Sequence, residues 1–255
     1  MFCGRKPFSE EHVWPEWLIK ELPDAIDVRG RMTDHTTGRT IEFPSGTKVN
    51  KTIRRTCNPC NTGWMADLES ETKWIVAPML RGQHPIRLGL AEQRLVALWA
   101  VKTALMLELA SPGPAAIPAS LYRRIYAERV PPPETRVWLG ARTVLDDVPA
   151  DATEAAVELL YAESGPTTFA LSQGDLEGYA STFAANFFVC QVVGLLPPDE
   201  NRPVEFGAVR EGPFLHIWPT TERLLSWPPA FLLDREGVVG ATRLDGPAAL
   251  VFRYL

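Results

Sequence analysis

The chain has 255 residues, 45% of them hydrophobic and 22% charged, and carries a formal net charge of -5. That is enough apolar material for a sizeable core in one or two domains. The acidic balance excludes a basic nucleic-acid coat protein, although residues 1–80 are balanced in charge and the excess of acid lies in 81–255, so a local basic site is compatible with it.

Four cysteines in this length do not make a disulfide scaffold, and three of them stand in knuckle-like contexts that read as metal binding. No basic segment leads into an apolar run at the start, so a secretory leader is not expected. The longest apolar stretch, Leu95 to Leu107, is interrupted by Lys102 and is too short to span a bilayer. No membrane partner is expected, and the cytoplasm is the expected compartment.

Residues 3–8 begin Cys3-Gly4-Arg5-Lys6-Pro7 and read as a tight turn. A Cys-Gly pair often opens a zinc knuckle, because glycine lets backbone amides turn toward the sulfur. An extended segment at His12 and a helix from about Pro15 to Leu22 follow, with proline at a favourable first helical position. Residues 23–50 are polar and rich in glycine, with short strands possible at Asp27–Arg31 and Thr40–Phe43. Val49–Thr56 alternates as a strand leading into Cys57.

After Cys60, the spacing of Trp64, Leu68, Thr72 and Ile75 predicts a helix that Pro78 ends or just follows. Residues 81–89 read as a hairpin or linker and mark the expected boundary between a module at 1–80 and an accessory domain at 81–255. Ala91–Leu109 is the strongest helix and should be buried. A second helix spans Pro118–Arg129 before Pro131-Pro-Pro. Strands are expected at Thr135–Ala141, Thr167–Ser172, Ser181–Val193 and Phe214–Trp218, with Phe187–Val193 central and Cys190 a small buried hydrophobe.

The chemistry concentrates in two stretches. Cys57-x-x-Cys60 can bite a tetrahedral zinc ion from a turn, and Cys3 is the natural third ligand. For the fourth position, three explanations stand side by side. The ligand could precede the given start, it could be another group such as His35 or the N-terminal amine, or no zinc is bound. His12 follows Glu11. A neutral imidazole can take a proton from water, and an adjacent carboxylate can hold a hard cation such as Mg²⁺. Asn61, directly after Cys60, offers an amide oxygen as a second ligand to that cation. Lys48, Lys51, Arg54 and Arg55 form a basic run that reads equally as a solvated strand edge or as a phosphate contact. For Asp67 and Glu69 a solvated or capping role outweighs a catalytic one.

Together these motifs resemble the HNH endonucleases, the ββα-metal group with a zinc-knuckle scaffold. The likeness is to the prokaryotic branch written Cys-x-x-Cys-Gly…Glu-His-Val-x-Pro-x-Trp-Leu…Cys-x-x-Cys-Asn-x-Gly-Trp-Met. It covers residues 1 to about 75. The resemblance implies an α+β protein with a small N-terminal ββα-metal, treble-clef-like module, followed by a mixed helix and antiparallel-sheet domain. It implies His12 as general base and Glu11 as ligand to a catalytic Mg²⁺ or Mn²⁺. Asn61 would stand where the last histidine usually stands, in an HNN-like variant, and Asn50 in the region of the middle asparagine. Cys3, Cys57 and Cys60 would be ligands to a structural zinc. Departing from the family pattern are the absent first knuckle cysteine and a middle position at which Thr52 lies nearby. The implied activity is metal-dependent hydrolysis of phosphodiester bonds, with DNA as the implied partner. The alternative is a catalytically inactive, zinc-stabilised module that binds nucleic acid or protein. A nuclease toxin held by an immunity partner fits the same residues.

Overall fold

The computed structural model describes residues 2–21, 31–33, 40–42, 52–110, 117–143, 163–170, 177–196, 206–209, 212–234, 237, 238, 241 and 251–254. It is an α+β protein. In chain order the elements are β1 (Ser9–His12), α1 (Glu16–Glu21), β2 (Arg31–Thr33), β3 (Thr40–Glu42), β4 (Thr52–Thr56), the short α2 (Asn58–Cys60), a π-helical turn (Asn61–Met65) and α3 (Ala66–Leu80). They continue with β5 (Ile86–Gly89), α4 (Leu90–Ala110), α5 (Ala119–Glu128), β6 (Thr135–Ala141), β7 (Glu163–Ala170), β8 (Glu177–Ala185) and β9 (Phe188–Leu196). The last strands are β10 (Phe206–Val209), β11 (Phe214–Trp218), β12 (Leu224–Trp227) and β13 (Val251–Tyr254).

One antiparallel sheet organises the larger part of the molecule, in the order β11-β6-β9-β8-β7. β9 is central, as its run of aromatic and β-branched residues requires. Cys190 is fully buried within it, and burial pushes its thiol well above the ordinary value. Against this sheet lies α4, which also touches α3 and β4. With protein on both sides, nearly every residue from Val96 to Leu107 is buried, so the helix is apolar around its whole circumference. Trp99 on α4 joins α1 to the central strands of the sheet. Its ring packs 6.0 Å from Trp17, 5.9 Å from Phe183 and 6.0 Å from Phe188. A single hydrophobic cluster runs from Phe2 through Leu80, Leu105 and Phe188 to Trp227, without a break at residue 80.

The N-terminal part contributes a two-stranded antiparallel sheet, β1 with β4, in the register Ser9–Thr56, Glu11–Ile53 and His12–Thr52, followed by the helix. β2 and β3 pair between them as a hairpin. The expected strand at Asp27–Arg31 lies mostly outside the described residues.

Three expectations are corrected. Ser181–Val193 is not one strand but two, β8 and β9, joined at Asn186-Phe187, with Ala185 opposite Phe188. Asn186 turns the chain with φ +51°, a left-handed conformation that asparagine tolerates better than most residues. The helix does not stop at Pro78 but runs to Leu80. Proline so close to a helix end removes a single bond, and the Asn186 Nδ2 donates to the Leu80 carbonyl at 2.6 Å, satisfying one of the last carbonyls. Residues 86–89 are neither hairpin nor linker. They form β5, paired with β12 far along the chain, where the Trp227 indole also donates to the Gly140 carbonyl at 3.0 Å. Among the described residues, no helix is long and apolar enough to cross a membrane.

Asn186 therefore serves both the β8–β9 turn and the end of α3. Asn186→Ala should lower the unfolding free energy in urea by about 1–3 kcal/mol, and Asn186→Gly, which keeps the left-handed turn, should cost less. Equal stability of Asn186→Ala and wild type would remove this role.

Candidate metal and nucleic-acid site

The Cys57 and Cys60 thiols share one turn because α2 begins at the knuckle. The amides of Cys60 and Asn61 both donate to the Cys57 carbonyl at 3.0 Å, which folds the Cys-x-x-Cys segment back on itself. Gly4, with φ +77°, bends the opposite loop and brings Cys3 to the pair. The three sulfur atoms lie within 4.8 Å of one another, with Cys3 and Cys57 Sγ 3.2 Å apart and all three thiols free.

Three soft donors at this separation fit zinc. Zn–S bonds of about 2.3 Å in a tetrahedron place sulfurs about 3.8 Å apart. Desolvation raises the Cys3 thiol, but bonds from the Arg5 amide and the other two thiols, with the Arg5 charge, bring it down to about 7. Burial and the neighbouring thiols push Cys60 up to about 12. A bound cation would reverse that second shift, since zinc takes thiolates. Among the described residues, no further histidine, cysteine or carboxylate joins the group, and His35 and the N-terminus lie outside them.

Immediately after Cys60 the helix is irregular. Asn61–Met65 is a π-turn, broken at Gly63. The Asn61 Nδ2 donates to Ser9 Oγ at 2.7 Å and to the Glu10 carbonyl at 2.9 Å, so its amide ties the helix start to β1. Trp64 packs edge-on to Phe2, and the Arg129 guanidinium lies 4.3 Å over its ring.

The alternation of β1 separates the adjacent pair Glu11 and His12 onto opposite faces. His12 is half-buried on the outer face, opposite Thr52. The Glu16 carboxyl is held low by the hydrogen bond and charge of Lys20, with a smaller contribution from His12, so these groups share one exposed edge. Glu11 faces inward. Its carboxylate lies 3.7 Å from the Nζ of Lys102, whose side chain is fully buried in α4, and the same ammonium bonds the Glu69 carboxylate from α3. Desolvation lifts the Glu11 carboxyl to about 7, Lys102 pulling it down and Glu69 pushing it up.

Of the predicted site residues, the structure brings Cys3, Cys57 and Cys60 together, and joins Asn61 to Ser9 and Glu10. Glu11 is paired with Lys102 and lies on the opposite side of the strand from His12. Asn50, Lys48 and Lys51 lie outside the described residues. Arg54 and Arg55 are exposed on β4, and Arg54 pairs with Glu10 at 2.6 Å. Glu69 is no solvated charge, and sequence reasoning missed its pairing with Lys102. The signal was present in the lysine on the face of an otherwise apolar helix, because a buried ammonium demands buried anions. A separate open cleft of about 830 Å³ lies between α3 and α4, lined by Trp64, Leu68, Arg94, Leu95, Arg129 and Trp218 among others. None of the cysteines, Glu11 or His12 lines it.

No family model, curated protein or solved structure matches the chain.

Two outcomes follow from this geometry. Purified protein should carry zinc, and Cys60→Ser should lose it and melt several degrees lower. A zinc-free protein with a Cys3–Cys57 disulfide would contradict the metal assignment. For Glu11, the folded-state value stands above its ordinary 4.5. Its contribution to stability is therefore complete below about pH 4.5 and is lost as pH rises through about 7, a change of up to about 3 kcal/mol. Glu11→Gln should flatten the fall in unfolding free energy between pH 5 and pH 8. An unchanged pH profile would show that the carboxyl is not held this way.

Proposed function

We propose that the N-terminal unit is an HNH-type nucleic-acid hydrolase, with β1, β4 and α3 as its strand–strand–helix frame and His12 as its general base. The observation that carries this reading is the convergence of Cys3, Cys57 and Cys60 where a two-stranded antiparallel sheet meets a helix, with His12 on the open face of the first strand. The motifs at 3–18 and 57–69 resemble that family in spacing as well as in residue type.

The thiols fit zinc. A bound zinc would take no part in the reaction and would crosslink residues 3, 57 and 60, fixing the angle between β1 and the helix. The His12 imidazole accepts a proton from water as the water oxygen attacks phosphorus. The P–O3′ bond breaks, and the leaving oxygen takes a proton from solvent. Arg54 and Arg55 lie on the strand beside β1 and can meet the phosphate backbone, from which such proteins draw most of their sequence-independent affinity.

A catalytic divalent ion fits the arrangement less well. Glu11, an expected ligand, is engaged by Lys102 on the inner face of β1, on the opposite side of the strand from His12. No step is assigned to such an ion. The Glu11–Lys102 pairing favours the second reading, a zinc-held module that binds nucleic acid or protein without cleaving nucleic acid.

Nicking of supercoiled plasmid by the purified protein decides between the two, assayed with Mg²⁺, with Mn²⁺ and without added divalent ion, beside His12→Ala. The nuclease reading predicts nicking that falls at least 100-fold in His12→Ala, in keeping with the usual weight of a general base. Cleavage that survives the substitution would place the chemistry elsewhere. Absence of cleavage by zinc-loaded wild type would leave the binding module or a nucleic-acid substrate other than duplex DNA.

A further inference from the structure

An aromatic ring with nothing to cover it stands at the entry to β1. Phe8 is 77% exposed immediately before β1, although a phenylalanine so placed gains nothing for the fold. Within β1 Glu10 is exposed, Glu11 buried and His12 half-buried, so Glu10 and His12 share the outer face, and Phe8 stands one residue before the strand, at the end of an exposed loop. Phe8 and His12 are four residues apart, about 13 Å along an extended strand.

The charge around that face is positive. Arg5 and Lys6 are exposed on the knuckle loop just before Phe8. On the neighbouring strand Arg54 reaches across to the Glu10 carboxylate, donating from both Nε and Nη2, and near His12 the exposed Glu16 is paired with Lys20, so each of these acids has a cationic partner. The chain as a whole is acidic, so cations gathered beside an uncovered ring form a local departure from its surface. An anionic polymer with flat apolar groups is complementary to such a surface. Cations follow a phosphate backbone while an exposed ring stacks on bases. A base can stack on a side chain only where it is unpaired or has been drawn out of its own stack.

The geometry points to the outer face of β1 as a binding track for single-stranded nucleic acid, with Phe8 stacking on an unpaired base and Arg5, Lys6 and Arg54 along the backbone leading to His12. The ligand class rests on the nucleic-acid reading above, and the track deepens that reading by naming the strand state. A duplex would leave Phe8 without a partner.

Fluorescence anisotropy tests this with a labelled 15-nucleotide single strand and the duplex of the same sequence, in buffer without added divalent ion. The variants are wild type, Phe8→Ala and Phe8→Trp, with melting temperatures measured in parallel. Phe8→Ala should weaken single-strand binding about tenfold, as loss of one stacked base predicts. Phe8→Trp should restore it, duplex binding should change less than twofold, and the melting temperature should not move. Undiminished single-strand binding by Phe8→Ala would overturn the track, as would an equal loss on the duplex. Cleavage of the same 15-nucleotide single strand, with Mg²⁺ or Mn²⁺ added, separates the two failures. Phe8-dependent binding without cleavage of that strand keeps the track and ends the nuclease reading. Cleavage with Phe8-independent binding ends the track alone. A protein that binds neither strand form ends both.

Discussion

Three sulfur atoms set the geometry of the N-terminal unit. Cys3 stands near the start of the chain, and Cys57 and Cys60 stand at the root of the helix, yet their sulfurs lie within 4.8 Å. The described part of the unit between them is small. β1 and β4 form a two-stranded sheet, and an isolated two-stranded sheet is marginal in water. A metal ion held by the three thiols would fix what that pairing alone holds loosely, namely the approach of β1 to the helix start, where Asn61 donates to Ser9 and Glu10. The position of His12 relative to the helix follows from that approach.

A buried charge cluster sets how this unit sits on the remainder. Lys102 is enclosed in α4, and its ammonium meets Glu11 from β1 and Glu69 from α3. Enclosing ionisable groups is costly, and replacing such a cluster with well-packed apolar residues is often neutral or stabilising. It therefore specifies more than it stabilises. With β1, α3 and α4 each supplying one ionisable group, a rotation of the strand that exposed Glu11 would leave the Lys102 ammonium with Glu69 as its partner in the cluster. The same constraint turns Glu11 inward and leaves His12 outward on β1. The pairing of adjacent acid and base that the motif suggests is thus divided by the strand between two tasks, one structural and one open to solvent.

Much of the fold was legible because its elements carry strong local patterns. α4 spans Leu90–Ala110 where Ala91–Leu109 was expected, and β6 and β11 match Thr135–Ala141 and Phe214–Trp218. Their runs of apolar residues end at Pro and Gly clusters, which mark boundaries clearly. The β8–β9 turn was hidden because Asn186-Phe187 lacks the glycine that usually signals a two-residue hairpin, and both flanking stretches are apolar. β5 was hidden for another reason. Its partner β12 lies well over a hundred residues further on, and no local pattern reports such a pairing. In the site, the knuckle spacing announced the cysteines, since ligand spacing within a turn is local. The link from Glu11 to Glu69 through Lys102 was invisible, because the three side chains meet only when strand and helices pack. Phe8 passed as part of a turn until its exposure was known.

The claim on which the site rests is that the three thiols bind one zinc ion together. X-ray absorption at the zinc K-edge of the purified protein tests it directly. The account predicts a shell of three sulfur atoms at about 2.3 Å completed by one lighter donor or a fourth sulfur. A first shell of nitrogen and oxygen alone, or a protein that takes up no zinc when it is supplied during folding, would contradict it.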